Sequence, residues 1–162
     1  MTVLFPAIVT CYIPYRLLSP IDLDKTSEWA LGQYAGGTMI AAGVGILLTC
    51  VWEFAHIGRG TLAPFDEPRK LVVSGLYRYV RNPMYVGVML ILLGEAWFFG
   101  AKSLLIWAGL CFCAFNLFIM GYEEIRLSAK FGGDYEEYRR KVGRWIPRRQ
   151  HESSHVLDET LK

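Results

Sequence analysis

The chain predicts an all-α fold: an integral membrane helical bundle of about four transmembrane helices with a C-terminal cytosolic helical extension. Three observations carry that expectation. Of the 162 residues, 53% are hydrophobic and 14% aromatic, and the mean hydropathy is positive at +0.28. The charged residues, 20% of the chain, are confined to a few stretches. Apolar runs close to the ~20 residues a bilayer requires alternate with those stretches. One domain is expected, residues 1–147, followed by a polar tail, 148–162. A net charge of +2 is too small to point to nucleic acid as a partner.

The elements follow in order. Thr2 to Leu18 is about a bilayer long, with Pro6, Pro14 and Arg16 making it irregular or interfacial. It opens MTVLFPAIVT, with no early Lys or Arg and no small-x-small cleavage signal, so it is expected to be retained rather than cleaved. The connector Ser19 to Gln33 is acidic on balance, with Asp22, Asp24 and Glu28 against Lys25. Tyr34 to Trp52 is a charge-free span rich in Gly and Ala, residues that let neighbouring helices approach closely.

The stretch Glu53 to Asn82 is basic, with Arg59, Arg69, Lys70, Arg78 and Arg81, and its loop Gly60 to Pro68 is a lid or a connector. Pro83 to Gly100 is the third span and begins with a proline, which a helix tolerates in its first turn. Only Ala101 and Lys102 separate it from the fourth, Ser103 to Tyr122, so the two form a tight antiparallel hairpin. After Tyr122, EEIRLSAKFGGDYEEYRRKVGRW predicts a polar helix, a Gly-Gly break and a second amphipathic helix. Tyr135, Tyr138, Val142 and Trp145 recur there at helical spacing. Beyond Pro147 the chain is polar and unpatterned, a loose tail. The excess of cations in 53–82 and after Tyr122 places both regions, and both termini, in the cytoplasm.

Cys11, Cys50, Cys111 and Cys113 all lie in apolar runs with no CxxC pair or Cys/His cluster. They are expected to be small buried hydrophobes, with no metal and no disulfide. Glu95, inside the third span, is a hydrogen-bonding structural group or a functional one. His56 is expected at the inner membrane surface.

The hairpin brings distant clusters together. Both helices rise ~1.5 Å per residue from the 101–102 turn. Glu123 therefore lies level with about Val80, and Glu124 with Tyr79. The aromatic- and cation-rich stretch SGLYRYVRNPMYVG should thus face paired acids at one end of the hairpin.

At these residues the chain resembles a known family. LVVSGLYRYVRNPMYVG, followed by YEEIRLSAKFGGDYEEYRRKV and RWIP, is similar to the isoprenylcysteine carboxyl methyltransferase and phospholipid methyltransferase superfamily of membrane methyltransferases. The similarity runs from about Thr61 to Pro147, and LLGEAWFFG and WIPR are like its small bacterial members. The resemblance implies a multi-pass protein of a bacterial inner membrane with a cytoplasmic active site. It also implies S-adenosylmethionine as cofactor, with 61–147 as the cofactor-binding part. Contacts to that cofactor would come from Lys70, Leu71, Val72, Tyr77, Asn82, Pro83, Met84, Tyr85, Glu123 and Glu124. Two positions depart from the pattern. Asn82 stands where many members have His, and Ile119 stands where eukaryotic carboxyl methyltransferases carry an Arg thought to meet the substrate carboxylate.

Methyl transfer from a sulfonium is an in-line displacement, so positioning supplies most of the rate and few proton-transfer groups are needed. The candidates for that chemistry are Arg81, Glu123 and Asn116. Arg81 or Lys70 would pair with the methionyl carboxylate, and Glu123 would take the amino or ribose groups. Tyr77 or Tyr85 would lie on adenine or near the sulfonium. Asn116 either lines a substrate cavity or ties two helices together. The expected acceptor is a lipophilic membrane substrate, an isoprenoid- or lipid-linked carboxylate or amine, reached through the bilayer. Two other functions fit the same residues: an NADPH-dependent reductase of membrane isoprenoids or sterols, and a non-enzymatic membrane scaffold. In the scaffold, the arginines and tyrosines only anchor the hairpin.

Overall fold

The computed structural model describes residues 4–18, 31–53, 71 and 73–148, and among them the regular elements are helices. Expectations placed on His56, the 60–68 loop, Lys70, Val72 and the tail beyond Arg148 lie outside the described residues.

Helix α1 is three continuous segments, Leu4–Ala7, a π turn Ile8–Tyr12, and Ile13–Leu17. Its irregularity has a simple cause. In the π turn the Ile13 N–H donates to Ile8 O, so the next bond would run from residue 14 to Val9 O. Residue 14 is proline and has no N–H to give. The stranded Val9 carbonyl instead accepts the Trp107 indole N–H at 3.2 Å, which stitches α1 to the hairpin. Ser103 Oγ adds a second stitch to Leu17 O at 3.2 Å.

Helix α2 is Leu31–Glu53, and α3 is Pro83–Phe99, with Pro83 at its start. Gly100 ends α3 in the left-handed conformation, φ 61°, where a side chain would be strained. Helix α4, Lys102–Phe118, runs through a π turn Ile119–Glu123 into α5, Glu124–Phe131. Gly132, at φ 52° and ψ −123°, then breaks the chain before α6, Gly133–Lys141.

Among the described residues, two helices are long and apolar enough to cross a membrane, Leu31–Glu53 and the continuous Lys102–Phe131, whereas Pro83–Phe99 is apolar but shorter. The second amphipathic helix also stops sooner than the spacing of Tyr135, Tyr138, Val142 and Trp145 suggests. Val142 is already extended, at φ −114° and ψ 131°. Its neighbour Gly143 pairs with Val80 in an isolated parallel bridge. Trp145 therefore belongs to a hook that folds back on the bundle.

The core lies between α3 and α4, where Tyr85, Val88 and Leu92 pack on Ala108, Cys111, Phe115 and Ile119. Among the cysteines Cys50 and Cys111 are buried, whereas Cys11 and Cys113 are exposed and so are not core residues of this chain. Leu48 and Trp52 on α2, with Leu105, Ile106, Leu110 and Leu117 on α4, face outward. Such an apolar exterior suits lipid rather than water. Glu95 on α3 keeps a buried Oε2 without a hydrogen-bond partner.

Candidate active site

The site is built where α2 ends, α3 begins and α4 runs into α5. Glu53, the last residue of α2, receives the Leu76 N–H on Oε1 at 3.2 Å. Leu76 belongs to a 3₁₀ turn, Gly75–Arg78, and Gly75 sits at φ +55° with the Glu53 carboxylate where a Cβ would stand. Tyr77 in that turn is hydrogen-bonded to Cys50. Burial first, then Cys50, Glu123 and Glu53, push the Tyr77 phenol well above the usual tyrosine range, so it stays a neutral hydroxyl at working pH.

The C-terminal segments close over this turn. Tyr138 on α6 donates its hydroxyl to Tyr77 O at 2.7 Å, and the Arg81 N–H donates to Gly143 O at 2.8 Å. Replacing Tyr138 with Phe should cost about 1 kcal/mol, the usual net value of one such bond. Denaturant unfolding of the detergent-solubilised chain measures it, and a change of less than 0.3 kcal/mol would mean the bond contributes nothing.

The start of α3 presents Asn82, buried at the N-cap position with no capping bond from its side chain, then Pro83, Met84 and Tyr85. The Tyr85 ring lies 4.9 Å from Phe115, and its hydroxyl donates to Glu123 Oε2 at 3.4 Å. One residue on, Glu124 is held by two guanidinium groups. Arg81 Nη1 reaches Oε1 at 3.0 Å, while Arg144 grips both oxygens, Nε to Oε1 at 2.9 Å and Nη2 to Oε2 at 3.0 Å. The Glu124 side chain is only 12% exposed and that of Arg81 10%, so this pairing is shielded and bidentate rather than a surface contact.

The structure thus gathers Tyr77, Arg81, Asn82, Tyr85, Glu123 and Glu124, from two clusters far apart in sequence, at one end of the hairpin. Leu71 lies at the edge, lining a cavity of about 500 Å3 with Val73, Tyr138, Val142 and charged side chains of α6 and the turn. Asn116 goes elsewhere. It donates to Phe112 O at 2.8 Å and accepts the Trp145 indole N–H at 3.1 Å, tying the hook to α4.

Four contributors were not anticipated from sequence: Arg144, Tyr138, Glu53 and Cys50. Arg144 sits inside the RWIP piece, yet an arginine among many in a basic tail carries no signal of a buried partner. Glu53 and Cys50 close a charge-free span, and only the fold-back of the turn onto that end gives them neighbours.

Three of the buried polar atoms without a hydrogen-bond partner flank this one turn: Glu53 Oε2, Ser74 Oγ and Arg81 Nε. Unsatisfied buried groups are costly, and three at one turn call for a partner such as water, an ion or a polar ligand.

With apolar outer faces and a polar, charge-paired end, the hairpin fits a helical membrane protein. The chain belongs to the phospholipid methyltransferase family, which it matches over residues 31–134. It is similar to the protein-S-isoprenylcysteine O-methyltransferase of Schizosaccharomyces pombe, 33% identical over 118 residues, covering 72% of this chain and 45% of the yeast protein. A probable protein-S-isoprenylcysteine O-methyltransferase of Oryza sativa subsp. indica is 30% identical over 143 residues, covering 82% of this chain and 70% of the rice protein. An uncharacterized protein of Haemophilus influenzae is 38% identical over 65 residues, its whole length but 39% of this chain. The chain spans under half the length of the yeast relative. No solved structure matches it.

Proposed function

We propose that this protein is an S-adenosylmethionine-dependent methyltransferase that crosses the membrane about four times and methylates a lipophilic acceptor drawn from the bilayer. One observation carries the proposal: the Tyr85–Glu123 contact and the Arg81–Glu124–Arg144 pairing stand together at one end of the hairpin, in a chain of a methyltransferase family. The unpartnered Ser74 Oγ and Arg81 Nε fit a ligand that carries both a hydrogen-bond donor and a carboxylate.

When bound, S-adenosylmethionine supplies an electrophilic methyl group on a sulfonium. The residues of the chain hold and orient it. Glu123 offers its carboxylate to ammonium or ribose hydroxyl groups, with Tyr85 fixing its direction. Arg81 spends Nη1 on Glu124, which leaves Nε toward the methionyl carboxylate. The rings of Tyr77 and Tyr85 face the adenine or sulfonium side, where an aromatic ring attracts a cation. Lys70, Val72, Asn82, Pro83 and Met84 complete the cofactor shell, as the family resemblance implies.

Asn116 accepts from Trp145 and so fixes the hook against α4. A deprotonated carboxylate or a neutral amine is the acceptor chemistry that best suits a site with no dedicated base among the described residues. Short apolar α3 serves as a span by its 17 residues, the low end of what a bilayer accepts. The first apolar segment is the fourth, and both basic regions then face the cytoplasm.

The test is titration of the solubilised full chain with S-adenosylmethionine, and with NADPH as the competing cofactor. S-adenosylmethionine should bind and NADPH should not. Glu123→Gln should weaken that binding about tenfold or more, since a hydrogen bond to a charged group is lost. An unchanged affinity would remove Glu123 from the site.

A further inference from the structure

The Tyr77 turn is an excursion from the bundle and has no helix of its own beyond four residues, Gly75–Arg78. Something must hold it at the end of α2. The Leu76 N–H is bonded to Glu53 Oε1 at 3.2 Å, and Gly75 brings its backbone so close that a side chain would occupy the carboxylate's place. Tyr77 then meets Cys50, which is fully buried one helical turn before Glu53. Two residues of α2 at that spacing lie on the same face. Both therefore look toward the turn.

We propose that Glu53 is a positioning residue: its carboxylate latches the Gly75–Arg78 turn onto the end of α2 and so holds Tyr77 against Cys50, at the Glu123 end of the hairpin. Glu53 acts through Tyr77 rather than on the transferred group. The role rests on the methyl-donor site proposed above, but the latch itself is a property of the chain. Gly75 serves the same purpose from the other side. Its positive φ and missing side chain admit the carboxylate, and any larger residue would push the two apart.

The latch separates two substitutions. Glu53→Gln keeps an amide oxygen for the Leu76 N–H, and Glu53→Ala does not. Cys50 reports on the latch independently of any cofactor, because a turn that lifts off uncovers it. Maleimide labelling of the solubilised full chain, located by peptide mass spectrometry, follows Cys50 and the other buried thiol, Cys111, separately. In Glu53→Ala, Cys50 should label at least tenfold faster while Cys111 is unchanged, and S-adenosylmethionine affinity should fall about tenfold. Glu53→Gln should restore both.

Unchanged Cys50 labelling in Glu53→Ala overturns the latch. Equal acceleration at Cys50 and Cys111 means a general loss of stability and overturns it too. Selective exposure of Cys50 with undiminished S-adenosylmethionine affinity overturns the positioning role. If the unmodified chain binds no S-adenosylmethionine, the proposed function fails while the labelling arm still judges the latch.

Discussion

Glu124→Ala should destabilise the folded chain by about 3 kcal/mol, the range for removing one partner of a buried ion pair. The loss comes less from the missing attraction than from what remains. Arg81 and Arg144 would face each other with no carboxylate between them, and the Arg81 side chain is only 10% exposed. Arg144 keeps more solvent, at 28%, which holds the expected loss at the lower end of the range. Arg144→Ala should cost less than Glu124→Ala, because Arg81 still satisfies Glu124 Oε1. The hub also joins three parts of the chain, the start of α3, the start of α5 and the hook. Its removal should therefore weaken donor binding even where the fold survives. Denaturant unfolding in detergent measures the first effect. A Glu124→Ala loss no greater than that of Arg144→Ala would show that the carboxylate is not the centre of the network.

Much of this arrangement can be derived from sequence alone, for reasons that can be traced to particular residues. Pro83 and Gly100 mark the limits of α3 because each imposes a backbone conformation of its own, and the two-residue turn leaves α4 no choice but to run antiparallel. The reflection of one helix on the other then puts acids opposite arginine and tyrosine. The structure shifts the register slightly, since Glu124 meets Arg81 where an unbroken helix would place it level with Tyr79. The π turn Ile119–Glu123 accounts for it. A π turn inserts one extra residue, so Glu124 stays near the depth an α-helix would give Glu123. Nothing in IMGYE announces that insertion, because apolar residues suit both kinds of turn. The hook is a further case. Val142 and Trp145 continue a helical spacing, yet the helix ends because Gly143 is drawn into a bridge with Val80, more than sixty residues earlier. Local propensity does not encode so distant a partner.

Gly43→Leu should abolish stable packing of α2 against α3, at a cost beyond the ~3 kcal/mol usual for an overpacked site. Two glycines on each helix, seven residues apart, meet in antiparallel register: Gly36 with Gly94, and Gly43 with Gly87. Even a single added carbon at Gly43 would stand 2.6 Å from Gly87 O and 2.8 Å from Ile91 Cγ1. A carbonyl oxygen on a helix cannot turn aside as a flexible side chain can, so the helices must separate. Within a membrane no hydrophobic force draws them back, because close contact is itself the source of the attraction. Gly45 provides the control, since an added carbon there meets nothing within 4 Å. Gly45→Ala should leave stability unchanged or raise it by up to ~1 kcal/mol through helix propensity. The effect should also reach the site. Cys50 and Glu53 lie on α2 beyond Gly43, and a helix pushed outward by an ångström stretches the 3.2 Å bond from Leu76 beyond hydrogen-bonding range. Gly43→Ala should accordingly lower both thermal stability and donor affinity, while Gly45→Ala lowers neither. Equal behaviour of the two alanine variants would mean that the glycine contacts do not set the distance between the helices, nor the position of the turn that α2 carries.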